Sequence, residues 1–355
     1  MNGNWDLTGH EWAVDLLQRH IANNEARHAY LITGPDGVGR RTLALRFAMA
    51  LNCANPPAPG GFCGECRNCK LISAGHYVDL VITPSFILDG SLGVDRIREA
   101  RPLISRTPFQ SRYRLSLFPD FQMATDEAQN ALLKTLEEAP AHSIMVLTAN
   151  DPGQLLSTIV SRCEVIRLQP PGVGKVEAML QGENHSPEKA RLYAHIGEGR
   201  PGYAKELLRG EDLWENRVQR LNELKIVLKS SRLERFKYAE SLAKSKCTHE
   251  HVESHIDLSR EEQRQLESVK NRCVLRRTYP VWLSFWRDVL IRTSGASVPI
   301  VNLDVEAQID ELASRLDLPA ARRLAADMEL GLQRLERNVN PRLLTEVLLL
   351  DWPRI

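Results

Sequence analysis

Four cysteines crowd one short segment, CANPPAPGGFCGECRNC, at Cys53, Cys63, Cys66 and Cys69. Two overlapping C-x-x-C units make a tight thiolate turn, and Cys53 can close a tetrahedron across the Pro/Gly-rich stretch. Four thiolates form a closed structural Zn2+ shell with no position left for water. The segment has almost no apolar content, so metal would have to hold it. Four unrelated thiols are the competing reading, and the spacing favours zinc in a structural role. A second group, Cys247, His249, His251 and His255, lacks both C-x-x-C and H-E-x-x-H spacing and reads as a solvated polar helix. Cys273, beside Val274 and Leu275, reads as a small buried hydrophobe.

A second constellation is GPDGVGRRT, from Gly34 to Thr42. Amides around Gly34, Gly37 and Gly39 suit the cradling of phosphate oxygens. A phosphate-binding loop then needs Lys and a hydroxyl residue, but Arg40 and Arg41 stand there. Arg40 keeps a charge in a larger, planar form, and Arg41 cannot ligate a cation. Thr42 comes one residue late, which on a helix is about 100° of rotation.

These groups need a scaffold. The apolar run AYLITG before the loop reads as a buried parallel strand, and TLALRFAMALN after it as a helix. Further strands are expected at 79–83, 113–118, 143–149 and 163–168, with helices at 11–21, 95–105 and 126–138. Alternating strands and helices predict an α/β domain with a parallel sheet covered on both faces. QPPG at 169–172 reads as a linker, and beyond it the pattern is helical. Three parts are expected: an α/β domain over 1–171 with the cysteine module at 53–69, a small helical lid over 172–210, and an all-α C-terminal domain over 211–355. Leu330, Leu335, Leu343, Val347 and Leu350 fall at helical spacings and are expected to bury in that last domain's core, as are Trp282, Phe285 and Trp286.

The 355 residues carry a formal net charge of +1, which speaks against broad, independent nucleic-acid binding. The first residues, MNGNWDLTGHEW, lack the basic and apolar regions of a signal peptide, and no apolar run reaches a bilayer's thickness. A cytoplasmic protein without membrane contact is expected.

HAYLITGPDGVG, the cysteine segment, NALLKTLEEAP (130–140) and TIVSRCEVIRL (158–168), in this order, resemble the clamp-loader branch of the AAA+ proteins. WRDVL (286–290), NLD (302–304) and NVNPRLLTEVLLLDWP (338–353) look like the collar region of bacterial DNA polymerase III delta-prime subunits. The resemblance implies a hetero-pentamer with gamma/tau-type motor subunits and a delta subunit, which places a sliding clamp on primer–template DNA as part of the DNA polymerase III holoenzyme. It implies that Pro119 stands where a motor has its metal-binding acid and that Asp120 is the residual second acid of that motif. It also puts Tyr203 where a motor has its lid arginine. No intrinsic ATPase is expected, and ATP is not expected to bind productively, though weak nucleotide binding by the glycines stays open. Arg162, flanked by Ser161 and Cys163 in the SRC motif, corresponds to an arginine finger acting on a neighbour's ATP. The alternatives are an active AAA+ ATPase using Arg40 and Asp120, a free-standing zinc-bearing DNA-binding protein, and a bare scaffold.

Overall fold

The computed structural model describes residues 5–83, 92–245, 260–336 and 339–354, with side chains undescribed at 211, 260–273 and 336. The expectations for Cys247, His249, His251, His255 and the Cys273 side chain lie outside the described residues.

The chain forms two compact units, Met1–Ser186 with Gly199–Ala204, and Pro187–Glu198 with Lys205–Ile355. In the first, elements run α1 (Glu11–Ala22), β1 (Ala29–Thr33), α2 (Arg40–Asn52), α3 (Arg67–Ser73), β2 (Leu80–Ile82), α4 (Val94–Ser105), β3 (Arg114–Phe118), α5 (Asp126–Glu137), β4 (Ser143–Ala149), α6 (Ser157–Val160), β5 (Glu164–Arg167) and α7 (Val173–Gly182). All five strands are parallel, in the order β2-β3-β4-β1-β5. The centre of the sheet is buried on both faces, which is why β1 and β4 read as mostly apolar runs, while β3 also buries Arg114 and Ser116.

Side chains alternate across each strand, so one strand feeds two cores. Tyr30 and Ile32 join Leu115, Leu117, Ile144 and Val146 against α1 and α2. Ala29 and Leu31 join Phe118, Met145 and Leu147 against α4, α5 and α6. β1 lies between β4 and β5, so the loop after it opens at a topological switch point, where α/β sheets place their ligand clefts.

The second unit is helical: α8 (Pro187–Ile196), the later part of α9 (Pro201–Arg209), α10 (Glu211–Lys229), α11 (Arg232–Lys244), α12 (Arg260–Ser294), α13 (Glu306–Arg315), α14 (Leu318–Glu336) and α15 (Pro341–Leu350). Its core gathers Trp282, Phe285 and Trp286, buried as their spacing suggests, together with Trp352. The two α12 tryptophans meet Trp352 edge-on at 5.1 and 5.4 Å between ring centroids.

The leucine stripe is a correction. Leu335 is buried, but Leu330, Leu343 and Val347 are 41%, 57% and 46% exposed. The buried face of α15 is Leu344, Thr345, Leu348 and Leu349, which the hydroxyl of Thr345 disguises. Thr345 Oγ1 lies 2.8 Å from the Tyr279 hydroxyl, so a polar residue holds a core position.

Two C-terminal motifs prove to be one junction. Asp288, fully buried, accepts from the amides of Val301 and Asn302 and from Asn302 Nδ2. Arg217 donates to Asn302 Oδ1 at 2.5 Å and to both Asp304 oxygens at 2.7 and 3.0 Å. WRDVL and NLD are therefore joined in one hydrogen-bonded junction.

A buried arginine closes the same unit. Arg235 is 3% exposed and donates to the carbonyls of Val227, Leu228, Leu349, Trp352 and Pro353. These carbonyls cluster at the C-terminal ends of α10 and α15, the negative poles of two helices. Arg235→Met is expected to lower unfolding free energy by about 3 kcal/mol or more, because buried carbonyls lose their donors. Chemical denaturation with two probes checks this, and a midpoint equal to the parent's would contradict it.

Candidate functional site

The loop after β1 is a tight turn that only glycines permit in two places. Gly34 has φ of +145°, and a Cβ there would lie 2.5 Å from the Leu168 carbonyl oxygen. Gly37 has φ of +78°, and a Cβ there would lie 2.7 Å from the Tyr203 Cβ. The Gly202 amide donates to the Gly37 carbonyl at 2.8 Å, so the loop tip is in backbone contact with the first turn of α9. Gly39 precedes α2 with φ of +115° and no side-chain cap, which leaves the helix N-terminus formed. His10, missed from sequence, also supports the loop: its Nε2 lies 2.8 Å from the Val38 carbonyl, and burial pulls its pKa down.

Arg40 points inward and is 7% exposed, whereas Arg41 and Thr42 are exposed. Its Nη2 pairs with Asp36 Oδ1 and, at 3.1 Å, with Asp120 Oδ1. Asp36 lies four residues earlier, in the glycine turn ahead of α2, so the helical i,i+4 rule does not foretell the pairing. β3 ends at Phe118, Pro119 follows, and Asp120 sits in the left-handed region at φ 45° and ψ 50°. The Asp120 amide donates to Thr148 Oγ1 at 2.9 Å. Burial raises the Asp120 pKa and Asp36 adds to this, against the opposing charge of Arg40. The two acids at this loop thus face an arginine of their own chain. Pro119 has no side-chain oxygen for a metal.

α9 begins at Pro201, which leaves Arg200 ahead of the helix. The Arg200 guanidinium carbon lies 4.8 Å from the centroid of the Tyr203 ring.

The four cysteine sulfurs all lie within 4.8 Å of one another, and the group could hold a metal ion. Cys53 is the C-cap of α2, and Cys66 is the N-cap of α3, accepting from the Cys69 amide. Burial pushes the Cys66 thiol up, but amides of Cys69 and Ala54 and neighbouring thiols outweigh it and bring its pKa to about 6. Burial holds Cys69 and Cys53 above the usual thiol range. The donor set fits a soft dication, which would neutralise thiolates that repel one another. The module also rests on protein. Trp5 Nε1 donates to the Gly60 carbonyl at 3.1 Å, and the Arg46 guanidinium lies 5.3 Å from the Phe62 ring centroid. Metal is therefore not its sole support, contrary to the reading from apolar content alone.

Arg162 lies outside both groups. α6 ends at Val160, Ser161 is its C-cap, and the Arg162 and Cys163 amides donate to Ile159 and Val160 carbonyls at 3.1 and 3.3 Å. Cys163 packs against the core beneath, and burial pushes its thiol up to about 12. The Arg162 side chain is 36% exposed; its Nη1 donates to the Thr158 carbonyl at 3.0 Å and its Nη2 to Glu137 Oε1 at 2.5 Å. Glu137 is the last residue of α5, inside the NALLKTLEE stretch. No sequence signal links these two residues, which are 25 positions apart.

Two family models match, one described as DNA polymerase III, delta subunit, over residues 9–172 and one as DNA polymerase III, delta subunit, C terminal, over residues 265–354. The chain is 36% identical over 159 residues to DNA polymerase III subunit tau of Bacillus subtilis, an alignment covering 45% of this chain and 28% of that protein. It is 31% identical over 219 residues to DNA polymerase III subunit delta-prime of Pseudomonas aeruginosa, covering 61% of this chain and 66% of that one. A solved DNA polymerase III gamma subunit-related protein from Thermotoga maritima aligns over 96% of this chain and 99% of its own, at 18% identity and a TM-score of 0.40. The chain thus spans less than a third of the tau relative's length and about two thirds of the delta-prime relative's.

Proposed function

This chain belongs to the DNA polymerase III delta-prime family, in the clamp-loader branch of the AAA+ proteins, and from that premise we propose that it is the non-hydrolysing subunit of a sliding-clamp loader. It serves the ATP site of a neighbouring motor subunit through Arg162 while the clamp is placed on primed DNA. In this reading residues 172–210 act as the lid and 211–355 as the collar. Its partners are gamma/tau-type motor subunits and a delta subunit in a hetero-pentamer. The clamp and primer–template DNA are reached through that assembly, in the cytoplasm. Among the described residues no helix is long and apolar enough to cross a membrane.

The observation that carries the reading is the pairing of Arg40 with Asp36 and Asp120. A motor's loop cation turns to the β- and γ-phosphates, and its second acid orients the attacking water. Here the cation and the residual acid are joined to each other, and the loop tip touches α9. The loop is a structural strand-to-helix turn, which disfavours the alternative of an active ATPase.

Arg162 has the opposite character. It is partly exposed and backed by a half-buried Cys163, with a backbone fixed by the turn after α6. A planar, permanently charged fork stabilises charge that develops on a transferring phosphoryl group. Ser161 and Cys163 set the turn that presents it. The metal at Cys53, Cys63, Cys66 and Cys69 is zinc, in a structural role.

Assembly tests the reading. Mixed with tau-type and delta-type subunits, the purified chain is expected to elute as one complex with the mass of a hetero-pentamer, by light scattering on a sizing column. Failure to enter any complex with the motor subunits would remove the proposal.

A further inference from the structure

Resting on the trans-arginine reading above, we propose that Glu137 is the positioning residue for Arg162, fixing the guanidinium in the pose from which it meets a phosphoryl oxygen. Two acceptors hold the fork from its own chain: Glu137 Oε1 at 2.5 Å on Nη2, and the Thr158 carbonyl at 3.0 Å on Nη1. A guanidinium has five N–H donors, so these two bonds leave three for a phosphate. The fork is oriented without being used up.

The scaffold that sets this distance is built by the same helix. α5 carries Gln129 eight residues before Glu137. Gln129 Oε1 accepts from the Leu156 amide at 2.9 Å, and its Nε2 donates to the Ala124 carbonyl at 3.2 Å. The buried Gln129 thus ties α5 to the residue that opens α6, and α6 ends at the Arg162 turn. Glu137 and Arg162 therefore lie at the ends of two helices that this side chain joins.

Stability is a poor explanation for the pair. The two side chains are 48% and 36% exposed, and ion pairs in water at that exposure hold a fold only weakly. Orientation is a better one, since a long arginine samples many rotamers and a misplacement of about 1 Å in a reacting group can lower a rate roughly 100-fold.

The experiment measures DNA-stimulated ATP turnover of the assembled loader with four versions of this chain: Glu137→Ala, Glu137→Gln, Arg162→Ala, and Arg162→Ala with Glu137→Ala. Glu137→Ala is expected to lower kcat about tenfold with KM for ATP unchanged, as for a group acting only in the transition state. Glu137→Gln keeps an acceptor oxygen and is expected to stay within about twofold of the parent. In the Arg162→Ala background, Glu137→Ala is expected to change nothing further. Parental kcat for Glu137→Ala beside an impaired Arg162→Ala would overturn the positioning role alone. An equal loss from Glu137→Ala in both backgrounds would also overturn it, showing a merely structural residue. Parental turnover with Arg162→Ala would overturn both this proposal and the trans-arginine reading.

Discussion

Arg162→Ala, placed in this chain of an otherwise native loader, is expected to lower turnover at the ATP site it faces by about 1,000-fold. A finger, the role proposed for Arg162, acts on charge that appears in the transition state, so kcat should fall while KM for ATP stays near its parental value. Arg162→Lys should recover little, because an ammonium cannot reproduce the bidentate fork. The substitution should leave the chain folded, since Arg162 is partly exposed and its pair with Glu137 is on the surface. Single-turnover hydrolysis with clamp and primed DNA checks this. Unimpaired turnover and loading would take Arg162 out of the mechanism.

The second large effect concerns the metal. Removing it, or making Cys69→Ser, is expected to lower the melting temperature by roughly 10 °C, since a structural zinc contributes folding free energy directly. Cys69 lies at the base of the module, 1% exposed and in the same core as α1 and α2. Losing the metal therefore reaches the main sheet through Phe62, Trp5 and Gln18, against whose carbonyl Gly60 packs. Protons compete with the metal for the thiolates, so acid should release it and the stabilisation should fade as pH drops. Metal content by atomic absorption, with calorimetry alongside, tests the prediction. A metal-free parent, or a Cys69→Ser variant with unchanged metal content and melting temperature, would contradict it.

Much of the fold was legible because the sheet is buried on both faces. Every strand candidate in the first unit contains an observed strand, and 143–149 matches β4 end to end. The helices expected at α1, α2, α4 and α5 begin and end within two residues of their patterns, whereas the short α3 and α6 carry no such pattern. The C-terminal unit was harder. Its α15 buries Thr345 and exposes Leu343 and Val347, so hydropathy alone selects the wrong stripe. The motifs WRDVL and NLD could be noticed, but their joining through Asp288, Asn302 and Arg217 is a long-range fact that spacing does not carry.

The candidate site divides the same way. The cysteines are legible from spacing, as C-x-x-C is local geometry. The replacement of Lys by Arg40 and the presence of Pro119 could be read from position. What Arg40 does instead could not, because Asp120 lies eighty residues away and turns into a left-handed conformation that Asp tolerates better than most residues. Glu137 was hidden for the same reason: it meets Arg162 only when α5 and α6 pack.

These contacts make one claim, that the chain's own phosphate loop is a structural turn and its chemistry is done next door. The most direct measurement is turnover of radiolabelled ATP by the isolated chain in millimolar Mg2+. No hydrolysis above that of the Asp120→Ala variant is predicted. Measurable turnover that Asp120→Ala abolishes would contradict the account.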